Sequence, residues 1–169
     1  EMEKVFKTVM LGGAKSGKTS LRNCFLYTNY TWHYTPTTNP DFVATYIALD
    51  SGELVAVQIW DTDGHAQDLT ITNSLCSDAD GIIFVYDGTS PESLHGLDRY
   101  FAAVSAIASS QSKRVPVLLV QAKSDLDRRV SDDEAKELAR RHFGDQYAAC
   151  VETSARTGNN VALAFRTIA

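Results

Sequence analysis

Eight consecutive residues constrain this chain more than any others. Gly12-Gly13-Ala14-Lys15-Ser16-Gly17-Lys18-Thr19 matches the pattern G-x-x-x-x-G-K-[ST]. Its glycines permit backbone dihedrals that turn successive N–H groups inward, and a following helix adds its N-terminal partial charge. Such a loop cradles phosphate oxygens, with Lys18 reaching the β- and γ-phosphates and the Thr19 hydroxyl placed to ligate Mg²⁺. A Gly-rich turn with an exposed lysine is the simpler alternative. The flanks argue against it. Residues 5–11 are apolar and read as a strand, and residues 19–28 carry Leu21, Cys24 and Phe25 at helical spacing.

The rest of the chain alternates in the same way. Residues 42–49 and 54–60 read as strands joined by the hairpin signal Asp50-Ser51-Gly52. Residues 29–40 lack any period and read as a loop. Residues 61–80 are polar and irregular, expected to be mobile with at most one short helix. Residues 81–86 and 115–121 are continuous apolar runs of the kind buried on both faces of a sheet. Ser90 and Pro91 open a helix running to about residue 110. Ser131-Asp132-Asp133-Glu134 matches a capping box for a helix ending near Phe143. Residues 147–152 read as a last strand, and Asn160 as the cap of a last helix. The expected fold is therefore one α/β domain, a mostly parallel sheet of about six strands with one antiparallel strand and helices on both faces. Ligands in such sheets sit at the carboxyl ends of the strands.

Composition fits this reading and excludes others. The chain has 169 residues, 44% hydrophobic and 22% charged, which excludes disorder and a disulfide scaffold. Its net charge of −5 argues against nucleic acid as the main partner. Cys24, Cys76 and Cys150 are scattered, as expected of reduced thiols in a cytoplasmic protein. No apolar run approaches membrane-spanning length, and no secretory signal opens the chain. At the ends, Glu1 ahead of Met2 is expected to be foreign, and the natural protein to continue past Ala169.

The phosphate loop alone leaves kinases, ATPases and GTPases open. Asp61-Thr62-Asp63-Gly64 follows an apolar strand, where a carboxylate can hold Mg²⁺, usually through water. Lys123-Ser124-Asp125 follows another strand. A carboxylate there can accept both hydrogen bonds from the guanine N1–H and N2–H₂ edge, a donor pair that adenine lacks. A P-loop kinase would leave Asp125 and the Ser154-Ala155 loop without a role. Taken with Pro36-Thr37, Trp60-Asp61-Thr62-x-Gly64 and Glu152-Thr153-Ser154-Ala155, the sequence resembles the Ras superfamily of small GTPases over essentially its whole length. Asp41-Phe42, Phe84-Val85-Tyr86-Asp87 and Gly158-Asn159-Asn160-Val161 resemble segments of the Rab branch. The paired tyrosines typical of the Rab second switch are missing from residues 74–80.

The resemblance implies nucleotide contacts from Gly12, Ala14, Lys15, Ser16, Gly17, Lys18, Thr19 and Ser20. It also implies them from Tyr30 against the base, Tyr34 over the phosphates, and Gly64, whose N–H would sense the γ-phosphate. Lys123, Asp125, Leu126, Ser154, Ala155 and Arg156 would hold the base. Thr19, Thr37 and Asp61 would hold Mg²⁺, and Lys18, Gly64 and His65 would form the catalytic set. Phe42 and Trp60 read either as an effector-facing pair or as ordinary strand packing.

Three positions depart from the family pattern. Ala122 stands where the base motif usually begins with Asn, so the side-chain bonds from that Asn to the phosphate loop are lost, and nucleotide should be held less tightly. Asp63 stands where Ala precedes the switch glycine, and its charge would repel a γ-phosphate unless turned away or bridged by Mg²⁺. His65 stands where Gln usually orients the attacking water. It reads as an impaired switch, as a catalyst needing a partner (translational GTPases carry a His after the same Gly), or as an inert loop residue. His33 and His142 are set aside, the latter as a complement to a helix C-terminus.

The expectation is a Rab-like guanine-nucleotide switch in intracellular transport, with GTP/GDP and Mg²⁺ bound and slow hydrolysis. The alternative is a non-hydrolysing GTP-binding adaptor in a transport or coat assembly. Effectors are expected at residues 30–42 and 60–80, with an exchange factor or a GTPase-activating protein. The chain would be cytoplasmic, and peripheral on membranes through a lipidated tail beyond residue 169.

Overall fold

In the computed structural model, residues 5–27, 40–111 and 114–169 are described. Six strands form one sheet in the order β2-β3-β1-β4-β5-β6: β1 Val5–Leu11, β2 Asp41–Ala48, β3 Leu54–Asp61, β4 Gly81–Asp87, β5 Val117–Ala122 and β6 Tyr147–Glu152. Only β2 runs antiparallel, joined to β3 by the hairpin, with Phe42 opposite Trp60 and Asp41 opposite Asp61. The fold is the expected one. β5 begins two residues later than its apolar run because Pro116 has no N–H to give a ladder; its carbonyl accepts from Ile82 N at 3.0 Å.

Alternation along the strands splits the interior in two. One face carries Val9, Leu11, Ile82, Phe84 and Leu119 under α3 Pro91–His95, α4 Asp98–Gln111 and α5 Asp132–Phe143. The other carries Met10, Ile59, Ile83, Val85 and Val120 under α1 Lys18–Tyr27 and α6 Val161–Ile168. Phe25 and Phe165 stack at 4.5 Å where α1 meets α6. The short helix α2, Thr70–Ser77, lies within the polar stretch before β4 and turns Cys76 into the first core. Cys24, Cys76 and Cys150 are free thiols, and burial pushes Cys76 up to about 12. No helix among the described residues is long and apolar enough to cross a membrane.

Three local expectations are corrected. The helix opened by Ser90 does not run unbroken to residue 110. After Gly96 N bonds Glu92 O, Leu97 N reaches back only three residues to Leu94 O, and the tightened turn separates α3 from α4. Ser131 Oγ does accept from Glu134 N at 3.2 Å, but the Glu134 carboxylate lies 3.0 Å from His95 Nε2, joining α5 to α3. Asn160 sits at the N-cap of α6 in a left-handed conformation (φ +56°), yet its side chain donates to Glu152 O at 3.0 Å instead of capping. His142, in the last turn of α5, places Nε2 2.8 Å from Asp98 of α4.

Phe84, Phe101 and Phe143 tie β4, α4 and α5 together, with Phe101 edge-on to both partners at 4.6 and 5.5 Å. Phe101→Ala should destabilise the fold by about 3–5 kcal/mol, read as a lowered denaturant midpoint with an unchanged slope.

Candidate functional site

The turn between β1 and α1 works because of what its glycines lack. A Cβ on Gly12 would lie 2.3 Å from the Val85 carbonyl oxygen of β4, so only glycine lets the chain leave β1 this close to its neighbour. Lys15 holds φ +60° without being glycine. The Lys18 ammonium folds back inside the loop and donates to Gly12 O at 2.8 Å and Gly13 O at 2.9 Å. Lys18 is only 6% exposed. Burial lowers its ammonium to about 8, against the opposing pull of Asp61 and Asp63. Ser16, also buried, offers Oγ at 3.4 Å. A desolvated cation at the start of a helix, beside a glycine-rich turn, suits an anion.

The carboxyl end of β3 brings Asp61 against α1. Thr19 Oγ1 donates to Asp61 Oδ2, and Asp61 Oδ1 is buried with no hydrogen-bond partner. An unsatisfied buried carboxylate oxygen is costly, and a hard cation with oxygen ligands removes that cost. These two residues therefore fit Mg²⁺. Thr37, the third expected ligand, lies outside the described residues, as do Tyr30, Tyr34 and His33. Thr62 Oγ1, to which the sequence motif assigns no role of its own, donates to Met10 O at 2.7 Å and fixes where the chain leaves β3.

A second pocket opens between the ends of β5 and β6, lined by Gly17, Ser20, Leu21, Ala122, Lys123, Asp125, Leu126, Ala155 and Arg156. Ser154 Oγ donates to Asp125 Oδ1 at 2.8 Å, and Arg156 Nη1 lies 3.7 Å from Oδ2. Each carboxylate oxygen keeps a lone pair to offer, so Asp125 remains a paired acceptor. The two loops are themselves cross-tied by Ser124 N to Thr153 O at 2.9 Å. The fold thus sets phosphate-type, metal-type and base-type groups side by side at one sheet end.

Residues 7–169 match the Ras family. The chain belongs to it. It is also 38% identical to the GTP-binding protein YPT1 of Saccharomyces cerevisiae, over a 171-residue alignment covering 100% of this chain and 79% of that relative. Together these make it a Ras-superfamily small GTPase close to the Rab branch, and members of this family generally bind GTP or GDP with Mg²⁺.

The family departures have visible consequences. Ala122 packs against Gly17 and offers no amide, but Lys123 spans the same gap. With φ +62°, it sends Nζ to Lys15 O at 3.1 Å and to Asp87 Oδ2 at 2.6 Å. Base loop and phosphate loop are therefore joined through Lys123, and Asp87 holds it there. Asp63 Oδ1 accepts from His65 N at 2.8 Å, which curls that carboxylate over its own loop. Gly64 rests on the phosphate loop so closely that a Cβ would lie 2.5 Å from Ala14 N. His65 itself is exposed. Phe42 and Trp60 stack at 4.6 Å, with Lys7 Nζ 5.4 Å from the Trp60 ring centre. Phe42 remains 45% exposed, so the pair is packed and accessible at once.

In the sequence Asp87 is only the last residue of a Rab-like segment and carries no assigned role; the rule that sites gather at strand ends is the signal that points to it. Burial pushes its carboxyl up, but hydrogen bonds from Lys123 and Thr89 outweigh this and hold it below its ordinary range. The stability it contributes is present above the unfolded pKa and lost as pH falls through the lower folded one. Asp87→Asn should destabilise the protein by about 1–3 kcal/mol at pH 7. Urea titrations should show that difference begin to shrink as pH falls through about 4, the unfolded value, and disappear only below the lower folded pKa, where the native carboxylate is protonated.

Proposed function

We propose that the chain is one guanine-nucleotide-binding domain over residues 1–169, acting as a Rab-like switch in intracellular transport with slow intrinsic hydrolysis. What supports this most is the Asp125 carboxylate, steadied by Ser154 and set beside the buried Lys18 loop. That arrangement suits a guanine edge and a phosphate chain held together. Gly12, Ala14, Lys15, Ser16, Gly17 and Ser20 would surround the phosphates, Lys123 and Leu126 would flank the base, and Ala155 N–H would face O6 with Arg156 alongside. Bound Mg²⁺ would offset phosphate charge, held by Thr19 and Asp61 and, from the first loop, by Thr37. Effectors would meet residues 30–42 and 60–80, where Phe42 and Trp60 offer an aromatic pair. An exchange factor or GTPase-activating protein would act on the same loops. Membrane attachment would need a lipidated tail.

Purified protein should release GDP or GTP on denaturation, and ATP should fail to compete with GTP. Asp125→Asn replaces one acceptor with a donor. Losing one hydrogen bond to a charged group, about 1.5–3 kcal/mol, predicts a roughly 10- to 150-fold loss of guanine preference in competition titrations. If ATP competes as well as GTP with the unaltered protein, this reading is wrong.

Slow hydrolysis is supported by the second switch. Imidazole is shorter than the Gln side chain and lacks its carbonyl. Asp63, although its carboxylate is held by His65 N, still acts on the Lys18 ammonium and would add negative charge near a γ-phosphate. His65→Gln should raise single-turnover phosphate release, and Asp63→Ala should raise GTP affinity relative to GDP. A wild-type rate typical of Rab proteins, unchanged in His65→Ala, would show that hydrolysis is unimpaired and does not pass through His65. The adaptor alternative is favoured by the same Asp63–His65 loop. It predicts no phosphate release even when cell extract supplies a partner.

A further inference from the structure

Arg22 belongs to no motif, yet it occupies the metal corner. It lies one helical turn after Thr19, on the same side of α1. Its side chain is only 11% exposed, and Nη1 stands 3.3 Å from Asp41 Oδ2 and 3.9 Å from Asp61 Oδ2. Asp41 and Asp61 are direct partners across the antiparallel β2–β3 pair, the position where like charges are most unfavourable. The guanidinium bridges that repulsion. It also joins the residue where β2 begins, just after the first loop, to the carboxylate that fits Mg²⁺. The Asn23 Oδ1 oxygen steadies the guanidinium from behind, accepting at 3.4 Å.

We propose that Arg22 is a positioning residue that shares Asp61 with Mg²⁺, so that nucleotide retention in this protein depends only weakly on the metal. This rests on the nucleotide-binding function proposed above. A fixed cation beside Asp61 neutralises part of the charge that attracts Mg²⁺ and repels the ion directly. The same cation keeps Asp61 and the start of β2 in place when Mg²⁺ leaves.

The test is release of a fluorescent GDP analogue, followed across a Mg²⁺ titration, from the full chain and its variants. Arg22→Gln should lower the Mg²⁺ midpoint for retention by at least about fivefold, as expected for removing a charge a few ångströms from the ion. It should also enlarge the acceleration caused by removing Mg²⁺. Asp41→Asn frees the guanidinium to act on Asp61 alone and should raise the midpoint. In the Arg22→Gln background that rise should shrink, a coupling that a purely structural arginine would not produce. Equal midpoints in wild type and Arg22→Gln, both loaded with GDP, overturn the proposal and leave the nucleotide reading standing. A wild type that takes up no GDP overturns that reading and the proposal with it. Should Arg22→Gln fail to fold, Asp41→Asn decides, since Asp41 is 66% exposed: a raised midpoint supports the proposal and an unchanged one overturns it.

Discussion

The Lys18 ammonium, buried against the carbonyls of Gly12 and Gly13, is the interaction on which the rest of the site depends. A cation out of water needs oxygen partners and gains from a nearby anion. The loop can supply those carbonyls only because Gly12 passes within a Cβ's reach of Val85 O. That contact in turn needs β1 and β4 to be parallel neighbours in register, with Leu11 opposite Phe84. The sheet order and the phosphate loop are thus one constraint seen at two scales.

Charge is distributed around that lysine in a consistent way. Carboxylates at the ends of three strands and in the loops beyond them each have an assigned cation or donor: Asp61 with Thr19 and Arg22, Asp87 with Lys123, Asp125 with Ser154 and Arg156. Asp63 instead bonds the backbone of its own loop. The position usually taken by Asn in the base motif is silent here, and the link it makes in the family is carried by Lys123 between Asp87 and Lys15. A Ras-family site can therefore lose one tie between its loops while keeping the loops joined.

Much of this was legible because strong local rules agreed. Strand and helix periodicity placed all six strands, and β1 and β6 match their predicted bounds. Ser131 caps as its spacing requires. Legibility failed where a side chain had two local options and tertiary packing chose between them. Glu134 reached across to His95, and Asn160 turned to the Glu152 carbonyl. The tightening at Gly96–Leu97 likewise belongs to the way α3 and α4 settle on β4, burying both Leu94 and Leu97.

By itself the sequence determined the chemistry that local order dictates. A strand, a glycine loop ending in Lys-Thr and a helix place a cation and N–H groups at one point, because residues a few positions apart cannot be separated. It also named Asp61 and Asp125 through their positions after apolar strands. Only the tertiary structure decided which distant charges share that point. Arg22 meets Asp41 and Asp61, and Lys123 meets Asp87, across 19, 39 and 36 residues of chain. Such pairings follow from strand order and from the face a helix turns inward. No single segment encodes them, since each depends on where another segment has packed.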